Sequence, residues 1–254
     1  MSLFEMHNVY KNFGGVKAVD DFSMSADSNQ IVGIIGPNGA GKTTIFNVIT
    51  GIYPADNGTI TLDGVDITKK QQYDIALMGV ARTFQNIRLF TGLTCLENVM
   101  TSIDSRSKYK LFDLPFRTPR MKREEKEGYD YCMEQLKWLG LEEYADEMPE
   151  NLPYGLQRRL EIARALALKP KMLLLDEPAA GLNPTEVSEL TDIIYRIKDD
   201  LGVLILLIEH RLELVMSISD VIYVQNFGET ISIGTPKECQ CDPKVISAYL
   251  GEDD

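Results

Sequence analysis

Three features of the chain predict an α/β fold. Gln30 to Ile35, Met172 to Leu175 and Val203 to Ile208 are continuous apolar runs of strand length, the pattern of a sheet covered on both faces. Helix-spaced segments at Lys42 to Thr50 and Glu186 to Lys198 alternate with them, as in parallel sheets joined by helices. Between these stretches lies a long, mainly helical zone at about Asn86 to Leu168. The chain therefore divides into a core from about 1–85 and 169–254, and an inserted helical subdomain from about 86–168.

Each element has a local cause. The helix Lys42 to Thr50 is stopped by Gly51 and Pro54. Thr59 to Leu62 and Val65 to Ile67 alternate around Asp63-Gly64, a strong hairpin turn, and mark an antiparallel β region. Tyr129, Cys132, Met133, Leu136 and Leu139 recur at helical spacing, and Gly140 ends that helix. The stretch Ser105 to Lys126 is basic, carries Pro115 and Pro119, and reads as a loop or insertion between helices. In the helix Leu156 to Leu168, one face is apolar (Leu156, Leu160, Ala163, Ala167), while Arg158, Arg159, Glu161 and Arg164 fall on polar positions. A second hairpin joins Val221 to Val224 and Thr230 to Ile233 across Asn226-Phe227-Gly228, and Lys244 to Leu250 forms a short final helix.

Composition narrows the function classes. A chain of 254 residues can bury a full core. A net charge of -12 argues against a sequence-independent nucleic-acid binder, which needs a basic surface to displace counterions. No apolar run approaches the roughly 20 residues that span a bilayer, and the N-terminus lacks the pattern of a signal peptide. Cys95, Cys132, Cys239 and Cys241 are irregularly spaced and read as reduced thiols of a cytosolic protein.

The chemistry sits in two motifs. Gly36-Pro37-Asn38-Gly39-Ala40-Gly41-Lys42-Thr43 matches G-x-x-x-x-G-K-[ST], between a strand and a helix. Its glycines turn backbone N–H groups inward around an anion, and the helix N-terminus adds positive potential. Lys42 is placed to reach the β- and γ-phosphates, and the Thr43 hydroxyl to ligate magnesium. Leu173-Leu174-Leu175-Asp176-Glu177 ends a buried strand in two acids. Asp176 suits the magnesium shell, and Glu177 suits polarising water beside the γ-phosphate. The pair predicts a P-loop NTPase core.

With these motifs in place, the sequence resembles the ATP-binding subunits of ABC transporters along nearly its whole length. The family's phosphate loop is matched by Gly36 to Thr44, its Q-loop glutamine by Gln85 and its signature by Leu152 to Leu156. Asp176, Glu177, the D-loop segment Ala180-Gly181-Leu182-Asn183 and the switch histidine His210 follow in the family's order. QRRLEIARAL, DEPAAGLNP and VISAYLGE are similar to the branched-chain amino acid importer group, the LivG-like subunits. A group serving lipopolysaccharide export shares much of this vocabulary.

The resemblance implies ATP and Mg2+ as ligands, and an antiparallel β subdomain beside the core. It also implies a peripheral place on the cytoplasmic face of the cell membrane and separate transmembrane permease subunits. Two ATP-binding subunits, alike or different, would dimerise head to tail, each ATP touching the phosphate loop of one and the signature of the other. By the same resemblance Glu177 is the general base, His210 contacts the γ-phosphate, Gln85 links magnesium to the hinge, and Phe13 stacks on adenine. Gly155 and the helix after it would hold the partner's ATP. The basic stretch reads either as a solvated loop or as a contact with lipid headgroups or membrane subunits.

Two departures stand out. Pro153 and Leu156 replace the serine and glutamine of the family's signature, and Asn183 replaces the D-loop aspartate. Proline donates no hydrogen bond, and a lost charge-assisted bond is worth about 1.5–3 kcal/mol. A soluble ABC ATPase of translation or DNA repair is the remaining alternative. Its usual tandem ATPase units or long coiled coils are not in this sequence.

Overall fold

A computed structural model describes residues 2–104 and 119–250. The expected loop or contact surface at Ser105 to Thr118 lies outside the described residues. The rest of that basic stretch, Pro119 to Lys126, is helical.

Ten strands are described: β1 (Phe4–Phe13), β2 (Val16–Ala26), β3 (Ile31–Ile35), β4 (Asn57–Leu62), β5 (Val65–Asp66), β6 (Val80–Arg82), β7 (Met172–Asp176), β8 (Leu204–Ile208), β9 (Val221–Asn226) and β10 (Glu229–Gly234). The described helices are α1 (Lys42–Ile49), α2 (Gln72–Leu77), α3 (Cys95–Asp104), α4 (Pro119–Trp138), α5 (Tyr154–Ala167), α6 (Pro184–Leu201), α7 (Leu212–Ile218), α8 (Pro236–Cys241) and α9 (Pro243–Leu250). Contacts divide the chain into two compact units, one of Met1–Gln85, Lys171–Ala180 and Val187–Asp254, the other of Asn86–Pro170 and Gly181–Glu186.

In the first unit, β2, β1, β4 and β5 form an antiparallel sheet. Asp63 and Gly64 both take positive φ in the β4–β5 turn, as an Asp-Gly hairpin requires. The second sheet runs β10-β9-β3-β8-β7-β6, and all its neighbours are parallel except the β9–β10 hairpin. Every residue of β3, β7 and β8 is buried, which explains their unbroken apolar sequences. One apolar cluster lies between the two sheets, from Phe4, Phe22 and Ile60 through Phe46 of α1 to Leu174, Leu206 and Tyr223. The α/β fold with a P-loop core is thus the one the sequence predicts.

The second unit packs α3 and α4 against α5. Here one expectation is corrected. Arg158 and Glu161 do not face solvent: they are 0% and 1% exposed and form an ion pair at 2.7 Å. Two of the four polar positions of α5 are thus covered, and their charges pair instead of hydrating, while Arg159 and Arg164 stay half-buried. Asn98, fully buried, donates to the Phe90, Leu93 and Thr94 carbonyls and accepts from the Phe90 N–H, pinning the irregular segment that follows Gln85.

Arg82 braces three elements of the first unit. It ends β6, donates from Nη2 to Asp176 Oδ2 at the end of β7 (2.7 Å), and donates from Nη1 to Asn47 Oδ1 on α1 (2.7 Å). The guanidinium also lies over the rings of Phe46 and Phe84. Both side chains of the ion pair are nearly buried, so removing one partner strands a charge, a loss of about 3–5 kcal/mol in buried pairs. Arg82→Met should lower the urea-unfolding free energy by about 3 kcal/mol, and adding Asp176→Asn should recover part of that loss by removing the stranded charge. A single-variant loss no larger than that of an exposed pair, under about 1 kcal/mol, would refute the brace.

Candidate functional site

The register of the parallel strands gathers the site. Ile34 of β3 pairs with Ile208 of β8, and Ile208 pairs with Asp176 of β7. The segments that leave these strands therefore emerge together at their carboxyl ends, where open α/β sheets bind ligands. They carry Gly36 to Thr43, Glu177 and Glu209-His210; beside them, the chain leaving β6 carries Thr83 to Gln85.

The phosphate loop is built by close packing as well as by its glycines' freedom. Gly36, Gly39 and Gly41 all have positive φ. A side chain on Gly36 would lie 2.0 Å from the Gln225 carbonyl oxygen, and one on Gly41 would lie 2.1 Å from that of Ala18. The backbones of β9 and β2 thus back the loop so tightly that only glycine fits. Pro37 and Ala40 are buried, while Asn38 and Gly39 form an exposed lip. The Lys42 ammonium turns into the loop and donates to the Gly36 (2.6 Å) and Pro37 (2.8 Å) carbonyls. Thr43 is exposed and Thr44 half-buried in the first turn of α1.

Glu177 is the junction of the acidic side. Gln85 Nε2 donates to its Oε2 (2.8 Å), and His210 Nε2 lies 2.9 Å from its Oε1. Two side chains from two other strand ends, far apart in sequence, thus converge on one carboxylate. Glu177 has φ 49°, a left-handed conformation that costs a non-glycine residue about 1–2 kcal/mol. Such strain persists only where surrounding bonds over-determine the backbone. The Glu177 N–H donates to the Ile208 carbonyl, and its own carbonyl accepts from the Ala180 N–H.

The predicted magnesium residue Asp176 is 3% exposed, with Oδ2 held by Arg82. Among the described residues no cluster of three or more His, Cys, Asp or Glu offers a metal cage. Mg2+ bound with a nucleotide is held through one or two protein oxygens together with the phosphates. The exposed Thr43 hydroxyl, the carboxylate of Asp176 and the buried Lys42 ammonium inside the loop fit Mg-ATP.

Phe13 is 42% exposed and therefore not a core residue; its ring meets Tyr53 edge-on at 5.0 Å. In the second unit, Pro153 is the N-cap of α5, and its carbonyl accepts from the Leu156 and Gln157 N–H groups. The helix begins at Tyr154, two residues before Leu156, so Gly155 lies inside its first turn. Tyr154 and Gly155 have a structural reason of their own that the sequence did not reveal. A side chain on Gly155 would meet the Glu186 carboxylate at 2.6 Å, and the Tyr154 ring packs against Gly181 and Arg158.

Two polar residues beside the site were not singled out from sequence: Arg82, and Glu209, which is 3% exposed. Each carries a signal in retrospect. Arg82 interrupts the apolar run Val80-Ala81, and Glu209 extends the buried run of β8 with a charge.

The ABC transporter family model matches residues 19–180, and a model described as Branched-chain amino acid ATP-binding cassette transporter matches residues 229–254. The chain is 46% identical over 250 residues to the high-affinity branched-chain amino acid transport ATP-binding protein LivG of Salmonella typhimurium, covering 98% of each. It is 35% identical to the lipopolysaccharide export system ATP-binding protein LptB of Haemophilus influenzae, covering 99% of this chain and 98% of that one. A crystal structure of a nucleotide-free ATP-binding cassette from an ABC transporter superposes with TM-score 0.85 at 34% identity, covering 98% of this chain and 99% of that one. With the family match spanning more than half of its length and a near-complete relative at 46% identity, the chain belongs to the ABC transporter family as an ATP-binding, ATP-hydrolysing subunit.

Proposed function

We propose that this subunit powers import of branched-chain amino acids through separate transmembrane permease subunits, from the cytoplasmic face of the membrane. No described helix is long and apolar enough to cross a membrane, which is in keeping with a pathway supplied by partner subunits. Similarity to LivG at 46% against 35% for LptB favours the importer over lipopolysaccharide export.

The observation that carries the mechanism is the grip on Glu177. Gln85 and His210 engage opposite oxygens of its carboxylate, fixing its plane and rotamer. Lys42 and the loop N–H groups would hold the phosphates, and Thr43, Asp176 and Gln85 would hold Mg2+, which would supply positive charge to offset that developing on the phosphoryl group. Glu177 accepts the proton of the attacking water, or orients that water. His210 contacts the γ-phosphate and keeps Glu177 aimed at it. Phe13 receives the adenine. A second ATP-binding subunit, the same or a different chain, docks head to tail and presents the Gly155 turn of α5 to this ATP.

Pro153 weakens that last contact. A serine at its N-cap position would accept from a backbone N–H of α5 and also donate toward the partner's ATP, two things proline cannot do.

Glu177→Gln should retain nucleotide binding while hydrolysis falls about 100-fold or more, with ATP trapping a dimer visible by gel filtration. Ordinary turnover by this variant would remove the general-base role. Pro153→Ser should raise stability by about 1 kcal/mol through the cap and also increase ATP affinity or turnover; a stability gain without either change would show that the signature needs no serine. Deleting the subunit in its native cell should abolish high-affinity leucine uptake and leave lipopolysaccharide delivery intact, and the reverse result would establish the exporter reading.

A further inference from the structure

Glu209 is a buried carboxylate to which the proposed mechanism gives no task. Its Oε1 accepts from the Ala179 N–H (2.6 Å), two residues after Glu177. Its Oε2 accepts from the His210 N–H (3.1 Å), with the Arg211 N–H at 3.5 Å. One carboxylate therefore ties the turn behind Glu177 to the turn that carries His210. These turns leave adjacent strands, β7 and β8, and their own ladder ends where Asp176 pairs with Ile208. Beyond that pair, Glu209 adds a second cross-link to the bond from the Glu177 N–H to the Ile208 carbonyl.

We propose that Glu209 is a positioning residue that locks Glu177 and His210 into the geometry in which they meet. Three observations support this. Glu177 has a left-handed φ that must be over-determined from outside, and fixing Ala179 removes the freedom by which that turn would relax. His210 and Glu177 meet at 2.9 Å only if both turns keep a fixed offset, and Glu209 is the side chain bonded to both. The group is also costly to keep. Burial pushes its carboxyl above the ordinary range, the N–H groups it accepts from pull the other way, and the Glu177 charge adds to the rise. A charge held at the expense of stability and satisfied by backbone rather than by a cation is better explained by geometry than by folding.

The clamp also sits at a topological boundary. Ala179 lies one residue before Ala180, the last residue of its segment in the first unit, and Gly181 opens a segment of the second. Glu209 thus anchors the chain where it leaves one unit for the other, in the segment expected to act as the D-loop.

The test uses Glu209→Gln in the full chain. Glutamine fills the same volume but has one acceptor oxygen, so it can serve one turn while its NH2 faces the N–H donor of the other. Amide exchange followed by NMR in the nucleotide-free protein should accelerate about tenfold at Ala179 or at His210, the equivalent of one lost hydrogen bond, and stay unchanged at Ile34. Hydrolysis should fall about tenfold while the dissociation constant for a fluorescent ATP analogue stays within about twofold, a loss of alignment without loss of binding. Glu209→Leu should loosen both amides and slow hydrolysis further. Unchanged exchange at both amides, loosening with normal hydrolysis, or a rise spread over β3 and β8 alike would each overturn the proposal. The role rests on the assignment of Glu177 and His210 to hydrolysis. That assignment fails separately, by normal turnover of Glu177→Gln, whereas exchange at Ala179 and His210 reads the clamp in either case.

Discussion

The parallel register that pairs Ile34 with Ile208 and Ile208 with Asp176 is the constraint on which the rest of the first unit depends. Three fully buried strands admit few other alignments, because side chains are packed on both faces of the sheet and a slip would leave voids and clashes. Once the register is set, the phosphate loop, the two acids and the histidine leave the sheet at one end. No contact among the site residues needs to be strong enough to bring the strands together. Those contacts only refine an arrangement that hydrophobic burial has already made.

The refinement is polar and buried, and therefore costly if incomplete. Arg82, Asp176 and Glu209 all lie in or beside the core and are held by specific partners, an ion pair with an added bond to Asn47 or backbone N–H groups, although the buried Nε of Arg82 itself has no partner among the described residues. Low local dielectric makes such groups rigid when matched and unfavourable when not. That links packing to chemistry. Glu177 is held in its strained backbone conformation by bonds to Ile208 and Ala180, with its carboxylate oriented from both sides by Gln85 and His210.

Tight backbone packing does comparable work without charge. Gly36 and Gly41 are fixed by the carbonyls of Gln225 and Ala18, and Gly155 by the Glu186 carboxylate. At Gly36 and Gly41 the neighbouring atoms are backbone and leave no room for a side chain, whereas at Gly155 the neighbour is the end of the Glu186 side chain. Pro153 caps α5 through its carbonyl alone, so the helix starts normally even though the side chain offers no donor.

Much of this was legible in the sequence. Periodicity and apolar runs determined the strands, the phosphate loop and the hairpins, because those patterns arise from local geometry and burial on one or both faces. The order of Gly36 to Thr43, Gln85, Asp176, Glu177 and His210 determined the family. Only the tertiary structure decided the partners of buried charges. Arg82 meets Asp176 across 94 residues and Glu209 meets Ala179 across 30, and no spacing rule reports such pairs. Nor could periodicity show that Arg158 and Glu161, at polar positions of α5, are buried as a pair. Helical spacing says which residues share a face, whereas the neighbours that cover that face are set by the fold as a whole.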